Sequence, residues 1–514
     1  MEWITHDALA KRTHYLRIED LIYLPEELDI YEAEDVVFAI KTTPELRECL
    51  SGSIKDVRDH HPQVIVEIVK LACVQHMQKT GELPGWLDLL PKAFSRVLSI
   101  ENAYQDIDLN HFAILPQSSF ARLPYMVLDD GLVAETVHAF KLFRLAGIAQ
   151  LGFLHDAIVD EFGQTSTLGW TYSHTRYHHV LNTMAIMTLM MRNNGIDGIE
   201  FATGRVAALT HDVLTPARGD TTKLLDYEAF DEDKHYPEVF ERYELDAFIK
   251  NNGIDPDLLV RTVQGKGALG SLLNYADKLA YITTDLERYT KNPRTALLEP
   301  DPIVILAEKN PFLCTIWDDV RVANHEVYFT DQQRLTAFLY TRAVMFQQFY
   351  WHPRTRFLEF VVGAVLLKYL YKTGKINREM LLGIDDSVLD AIMAEELGLP
   401  GFSWTSNVFG EPCVELFDSH ADAKARETEL MRQGVIFTII ENLPRSFRVG
   451  THIKVKSADG IVPLTVANPG ASKFLQSKSK LPYPYRLYYI TELRAGDKFL
   501  TAFKAYKQEM QKSA

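Results

Sequence analysis

Apolar side chains recur at intervals of three and four through most of residues 1–400, and that spacing commits the greater part of the chain to helices. Leu142, Leu145, Ala146, Ile148 and Ala149 form one such stripe; a 3.6-residue period places side chains spaced this way on one face. Proline stays out of these stretches and gathers between them, at Pro293, Pro300, Pro302 and Pro311, where a missing backbone N–H ends a helix without breaking one. The texture changes near Pro400. Gly434 to Ile440 and Thr451 to Val455 read as strands, Asp459-Gly460 offers a turn, and Ile461 to Val466 reads as a further short strand. Leu493 to Met510 returns to helical spacing. The expected fold class is mainly α, with a smaller α+β C-terminal region.

At 514 residues the chain exceeds the size at which a single core stops growing. Three regions are expected: an N-terminal helical region over 1–124, a core over 125–400, and an α+β region over 401–514 with a regulatory or oligomerising role. Hydrophobic residues at 47% and charged residues at 24% give the balance of an ordinary globular protein. The formal charge of −15 opposes non-specific binding to duplex DNA, whose affinity comes from phosphate neutralisation. A small basic pocket for one nucleotide remains compatible with it. The longest uninterrupted apolar run, Phe360 to Leu367, is too short to span a bilayer, so no membrane partner is expected. Cys49, Cys73, Cys314 and Cys413 form no CxxC motif, and so low a count fits a reducing cytoplasm. The opening Met1, Glu2 and Trp3, with Asp7 and Lys11 following, is unlike a secretory signal. A cytoplasmic location is expected.

The most informative pair is His211-Asp212. Adjacent His and Asp at a helix end can reach one cation, yet the dipeptide also arises by chance, and His155-Asp156 is a second copy. The context gives the first copy its weight. Ser173-His174-Thr175-Arg176-Tyr177-His178-His179 stands upstream and Asn274-Tyr275-Ala276-Asp277-Lys278 downstream. A histidine, a His-Asp pair and a distant aspartate make a donor set of two nitrogens and two oxygens. Such a set suits a divalent metal (Mn, Fe, Mg, Co or Zn), with positions left for water. The plainer readings are a core histidine at His179, on a helix whose Met184, Met187, Met190 and Met191 are packing residues, and a solvated helix position at Asp277. His178 competes with His179.

These blocks resemble the HD superfamily, and within it the dGTPase and SAM/HD-type deoxynucleoside triphosphate triphosphohydrolases. Phe143-Arg144-Leu145-Ala146-Gly147-Ile148-Ala149-Gln150-Leu151-Gly152 looks like that family's "RLRxIxQLG" segment. His174-Thr175-Arg176-Tyr177-His178-His179 is similar to its "HTRFEHS" segment, which aligns His179 with the metal-binding histidine. Tyr340-Thr341-Arg342 with Phe349-Tyr350-Trp351-His352-Pro353 resembles its late "R…VYxHP" helix. The likeness runs in the family's order over residues 125–370. It implies an HD-domain helical core in which His179, His211, Asp212 and Asp277 bind the metal. Arg176, Lys278 and Arg342 would hold the triphosphate. Gln150 and Leu151 would meet the deoxyribose, Tyr281 and Asp285 would line the sugar and phosphate pocket, and Tyr350 would contact sugar or base. His235 would protonate the leaving oxygen, and Asp220 joins Asp212 as a candidate in the acid–base chemistry.

Spacing is consistent with these roles. Arg176 and His179 share a helix face, and Asp277, Tyr281 and Asp285 step by four along another. Three cations around one site suit a triphosphate. The sequence also departs from the family. Thr215 and Asp220 stand where histidines are common in its "HDxGHxPFSH" run, Ala280 replaces a frequent Asp, and Trp351 replaces a polar base reader.

The resemblance implies metal-dependent hydrolysis of deoxynucleoside triphosphates, dGTP among them, to deoxynucleoside and tripolyphosphate. It further implies a homo-oligomer, an effector nucleotide, and a place in dNTP-pool control or antiphage defence. The alternatives are a catalytically weak nucleotide sensor or another HD nucleotide phosphohydrolase. Arg445, Arg448, Lys454, Lys456, Lys473, Lys478, Lys480 and Arg486 make the C-terminal region locally basic, among Tyr483, Tyr485 and Tyr488. That pattern reads as a solvated face, an effector or oligomer contact, or a surface on which single-stranded nucleic acid stacks.

Overall fold

The computed structural model describes residues 131–154, 175–290, 316–324, 326–398, 413–435, 437–443, 452–458, 460–481, 483–490 and 497–513, with 85–89, 113–114, 126–127 and isolated positions besides. The second His-Asp pair at 155–156, His174, the proline cluster at 293–311 and most of the expected N-terminal helical region lie outside the described residues. The chain divides into two compact units, 1–138 and 139–514. In the first, Ala113–Ile114 pairs antiparallel with Met126–Val127.

The second unit is built on helices that the apolar spacing anticipates. Helix α1 (Arg176–Asn193) starts where the Thr175 side chain accepts from the His178 N–H, which satisfies an otherwise orphan donor. It packs against α2 (Gly198–Thr210) and, after α3 (Pro256–Val263), against α4 (Gly267–Thr290). Met184, Met187, Met190 and Met191 are at most 1% exposed, so they are core packing as their spacing suggests. The stripe at 142–149 behaves differently. Lys141 adopts a left-handed conformation, a short 3₁₀ helix covers Leu142–Gly147, and Ala149 bridges to Thr175. Arg144 reaches across to the Val213, Thr215 and Ile384 carbonyls, tethering this segment to the loop after α2.

Strands enter the helical body earlier than the sequence suggests. β1 (Val320–Ala323) and β2 (Glu326–Phe329) form a hairpin that Asn194, just past α1, holds through the Val322 N–H and the Val320 carbonyl. Helix α5 (Gln332–Met345) leads into a π-helical turn over Phe346–Tyr350, then α6 (Pro353–Phe360) into a second π-helical segment over Val361–Leu367, and α7 (Asp386–Leu397) follows. Each π turn inserts a residue and re-aims the side chains after it.

The C-terminal part is α+β, as expected, and is mainly where the alternation placed it. Strand β3 (Cys413–Phe417) and helix α8 (His420–Arg432) precede β4 (Phe437–Asn442), β5 (Lys454–Ser457) and β6 (Gly460–Pro463). Helix α9 (Pro469–Lys478), β7 (Tyr485–Ile490) and α10 (Asp497–Ser513) complete it. The expected strand over 461–466 stops at Pro463 and turns helical at Leu464. β5 pairs in parallel with β2 in the sheet order β1-β2-β5-β6, so the helical body and the C-terminal region share a sheet. The second sheet, order β3-β7-β4, is antiparallel. Tyr488 on β7 is fully buried, which removes it from any stacking surface. No helix among the described residues is long and apolar enough to cross a membrane.

Gly363, in the second π segment, sets how closely that segment approaches the turn at Asp220–Lys223. A Cβ on Gly363 would lie 2.2 Å from the Thr221 carbonyl oxygen and 2.9 Å from Leu224 Cβ. Backbone must move to admit it, so Gly363→Ala should cost about 1–3 kcal/mol. Urea denaturation of the two proteins checks this, and equal midpoints would contradict the close approach.

Candidate metal centre and adjoining cavity

Three side chains from three helices or helix ends converge. His179 comes from the first turn of α1, His211 from the C-cap of α2, and Asp277 from the middle of α4. Their ligand atoms all lie within 4.8 Å of one another. His179 Nε2 is 3.0 Å and His211 Nε2 3.9 Å from Asp277 Oδ1. Asp212 stands beside them, with Oδ1 3.7 Å from His211 Nε2 and Oδ2 3.9 Å from His179 Nε2. Its Oδ2 also accepts from Arg176 Nη1 at 2.9 Å.

The donor set fits a cation. His211 Nδ1 lies 2.9 Å from the Ala208 carbonyl oxygen, a contact that requires the proton on Nδ1. Nε2 points toward Asp212 and Asp277, buried and without a hydrogen-bond partner among the described residues. Burial opposes charge on His211, but Asp212 and Asp277 outweigh it and raise its pKa. Burial alone would keep Asp212 protonated; Arg176, His211 and His179 instead hold it far below the usual carboxylate range. Asp277 is likewise lowered, against burial, by its hydrogen bond from His179. The carboxylates are therefore held ionised, and a cation would take the place of the protons that the two imidazoles share with them.

A cavity of about 450 Å³ opens beside the cluster, a size typical of small-ligand sites. Gln150, Leu151, Arg176, His211, Asp212, Asp220, Asp277, Tyr281, Asp285 and Tyr350 line it. The four-residue steps of α4 thus put Asp277, Tyr281 and Asp285 on one wall. Tyr350 donates to Asp285, and Arg342 Nε donates to Tyr281 Oη at 3.0 Å. Arg342 and Lys278 are not among the lining residues; Arg342 lies over the Phe346 ring, and burial lowers the Lys278 pKa. His235 is turned away, with Nδ1 on the Glu238 carboxylate and Nε2 2.9 Å from the Glu228 carbonyl oxygen.

Groups that carried no recognisable motif take part. Lys223 lines the cavity and pairs with Asp220 at 3.0 Å and Glu232 at 3.1 Å. Thr215, one of the positions that departs from the family pattern, donates to Glu232 Oε1 at 2.8 Å. Asp220, the other, pairs with Arg176 Nη2 at 3.2 Å. Two positions where histidine is common are therefore wired into a Lys–Glu–Asp–Arg network. Lys223, against burial, and then Arg176 lower the Asp220 pKa; burial raises those of Glu232 and Asp233. Gly219 lets the chain pass Arg176 closely, since a Cβ there would sit 3.2 Å from Nη2. Its neighbour Arg218 is left-handed at φ 62, held by Asp386 on its N–H and by Asp390 on its guanidinium. Asp386 also accepts from the Ala149 N–H, so one carboxylate ties the Gln150 segment to the loop after α2. The sequence singled out Arg176, Thr215 and Asp220 one by one, but Lys223 and Glu232, which join them, carry no motif.

Arg356 and Glu359 line the cavity as well, paired at i,i+3. Burial pushes Glu359 up to about 7, against the pull of Arg356.

No family model and no curated protein matches the chain. Among solved structures it superposes on a hypothetical protein from Aquifex aeolicus with a TM-score of 0.52 at 16% identity, covering 75% of this chain and 97% of the other. That likeness establishes a shared overall fold. A phosphohydrolase from Bacteroides thetaiotaomicron VPI-5482 superposes at 0.46 and 15% identity, covering 71% of this chain and 96% of its own. This second superposition is too loose to carry the fold.

Glu359 makes stability pH-dependent with a definite sign. The folded carboxyl binds its proton more tightly than an unfolded one of pKa 4.5. Its contribution is complete below the unfolded value and is lost as pH rises through about 7. Glu359→Gln should therefore gain on the wild type by roughly 2–3 kcal/mol between pH 4.5 and 7.5. Urea titrations of both proteins at the two pH values measure this; a constant difference would rule out the burial effect.

Proposed function

We propose that this chain is an HD-type, metal-dependent phosphohydrolase that cleaves deoxynucleoside triphosphates to deoxynucleoside and tripolyphosphate. One observation carries the reading. The buried Nε2 of His211, without a hydrogen-bond partner among the described residues, faces His179 and Asp277 at the wall of a cavity that also gathers Arg176, Lys223, Tyr281 and Tyr350. A divalent cation held by His179, His211 and Asp277, with Asp212 beside them, would supply Lewis acidity toward a phosphoryl oxygen and a more acidic water.

The chain's own residues account for the rest. Of the cavity's lining cations, Arg176 and Lys223, which share the exposed Asp220 carboxylate, would meet the phosphates. Both are paired with Asp220, whose side chain is 69% exposed, so an entering phosphate takes the place of that carboxylate. Leu151 and Tyr281 pack against C2′ of the sugar, where a 2′-hydroxyl would be buried without a partner. Gln150 Oε1, buried and without a hydrogen-bond partner among the described residues, accepts from a sugar hydroxyl. Tyr350, locked on Asp285, closes the sugar side. His235 has both ring nitrogens engaged, so the proton for the leaving 5′ oxygen falls to a cavity carboxyl. Asp233 lines the cavity and burial holds its proton to higher pH than a free carboxyl, whereas both oxygens of Glu232 are taken by Thr215 and Lys223. The homo-oligomer and effector nucleotide implied by the family resemblance belong to the same reading.

A nucleotide sensor without turnover is the second reading. It is favoured by one observation: His211 is the only histidine among the described residues lining the cavity, and it belongs to the metal cluster.

Chromatography of products after incubation with each dNTP, singly and mixed, with Mn or Mg, separates the two. Deoxynucleoside plus tripolyphosphate is expected, and Asp212→Ala should lower the rate more than about 100-fold. Activity confined to mixtures reports an effector nucleotide. Orthophosphate or pyrophosphate as product moves the chain to another phosphohydrolase reaction, and tight binding without product selects the sensor.

A further inference from the structure

The second C-terminal sheet reaches the cavity through buried polar side chains. Glu441 on β4 and Arg486 on β7 are register partners, and Tyr488 lies two residues beyond Arg486, on the same face. Glu441 is 4%, Arg486 8% and Tyr488 0% exposed. Arg486 Nη1 donates to the Trp351 carbonyl oxygen. Glu441 Oε1 accepts from Arg356 Nε at 2.7 Å, and Glu441 Oε2 from Tyr488 Oη at 2.7 Å. Trp351 and Arg356 both line the cavity, one at the end of the first π turn and the other in the first turn of α6.

We propose that Glu441 and Arg486 are positioning residues for substrate binding, clamping the two ends of segment 351–356 so that this stretch of the cavity wall keeps its shape. The inference rests on the cavity being the substrate site. Apolar contacts would attach a sheet to a helical body with less desolvation. Charged pairs with hydrogen bonds on both oxygens of one carboxylate do something apolar contacts do not: they fix direction. Here they fix the backbone at Trp351 and the guanidinium at Arg356. Arg356 is held from its other side by Glu359, so its aim depends on two carboxylates from separate parts of the chain.

The test uses the full chain with Glu441→Gln, Arg486→Lys and Tyr488→Phe, the last removing only a hydroxyl. Amide hydrogen exchange is followed in peptides covering 346–357 and, for comparison, 174–180, alongside steady-state kinetics with dGTP and Mn. Faster exchange at 346–357 alone is expected, with KM raised about 10-fold, the size of one charge-assisted hydrogen bond, and kcat within about 2-fold. Unchanged exchange at 346–357 overturns the proposal, and so does a fall in kcat at constant KM, the mark of a smaller folded fraction. A wild type that turns over no dNTP removes the proposed function, while the exchange result still decides the positioning role.

Discussion

A carboxylate at Asp212, 6% exposed, can stay ionised only if cations surround it, and much of the site follows from that requirement. Arg176 meets it directly, and His211 and His179 stand just beyond. Arg176 is itself buried and takes a second carboxylate, Asp220, which in turn engages Lys223, which engages Glu232. Each link leaves a charge needing a partner, and Asp220, the exposed link, lies between the two cations. A site assembled this way holds Arg176 and Lys223 at the cavity, both paired with the exposed carboxylate of Asp220.

Holding those charges in register is the work of a few tethers. Arg144 grips two carbonyls of the loop that carries Val213 and Thr215, and Asp386 accepts from the backbone on both sides of the cavity mouth. Arg218 is kept in a left-handed conformation that a non-glycine residue adopts only at some cost. The strain sits next to Gly219, where the chain passes Arg176, and is over-determined by Asp386 and Asp390. Loops of this kind are where binding chemistry is usually carried.

The C-terminal sheets are joined to this architecture in two ways. One strand, β5, adds to the β1-β2 hairpin of the helical body, and the other sheet touches the cavity wall through Glu441 and Arg486. The Thr215–Glu232–Lys223–Asp220 network lies on the helical-body side of the same cavity.

The sequence by itself determined the mainly helical body and the mixed α+β character of the region after residue 400, because local period is carried in plain view by one chain. His211 and Asp277 stood out as candidate ligands by their side-chain chemistry, and the choice of His179 over His178 rested on the family resemblance. Four-residue steps along α4 likewise foretold that Asp277, Tyr281 and Asp285 share a wall. Only the tertiary structure could decide the rest. The stripe at 142–149 became a 3₁₀ turn because Arg144 found carbonyls on a distant loop, and the hairpin at 320–329 formed because Asn194 and β5 complete its hydrogen bonding. Lys278 and Arg342 read as equals of Arg176 in sequence, yet the cavity's lining cations are Arg176, Arg218, Lys223 and Arg356. Whether a buried cation faces a ligand or a carboxylate depends on which charges the fold brings within a few ångströms of it, and no local pattern encodes that.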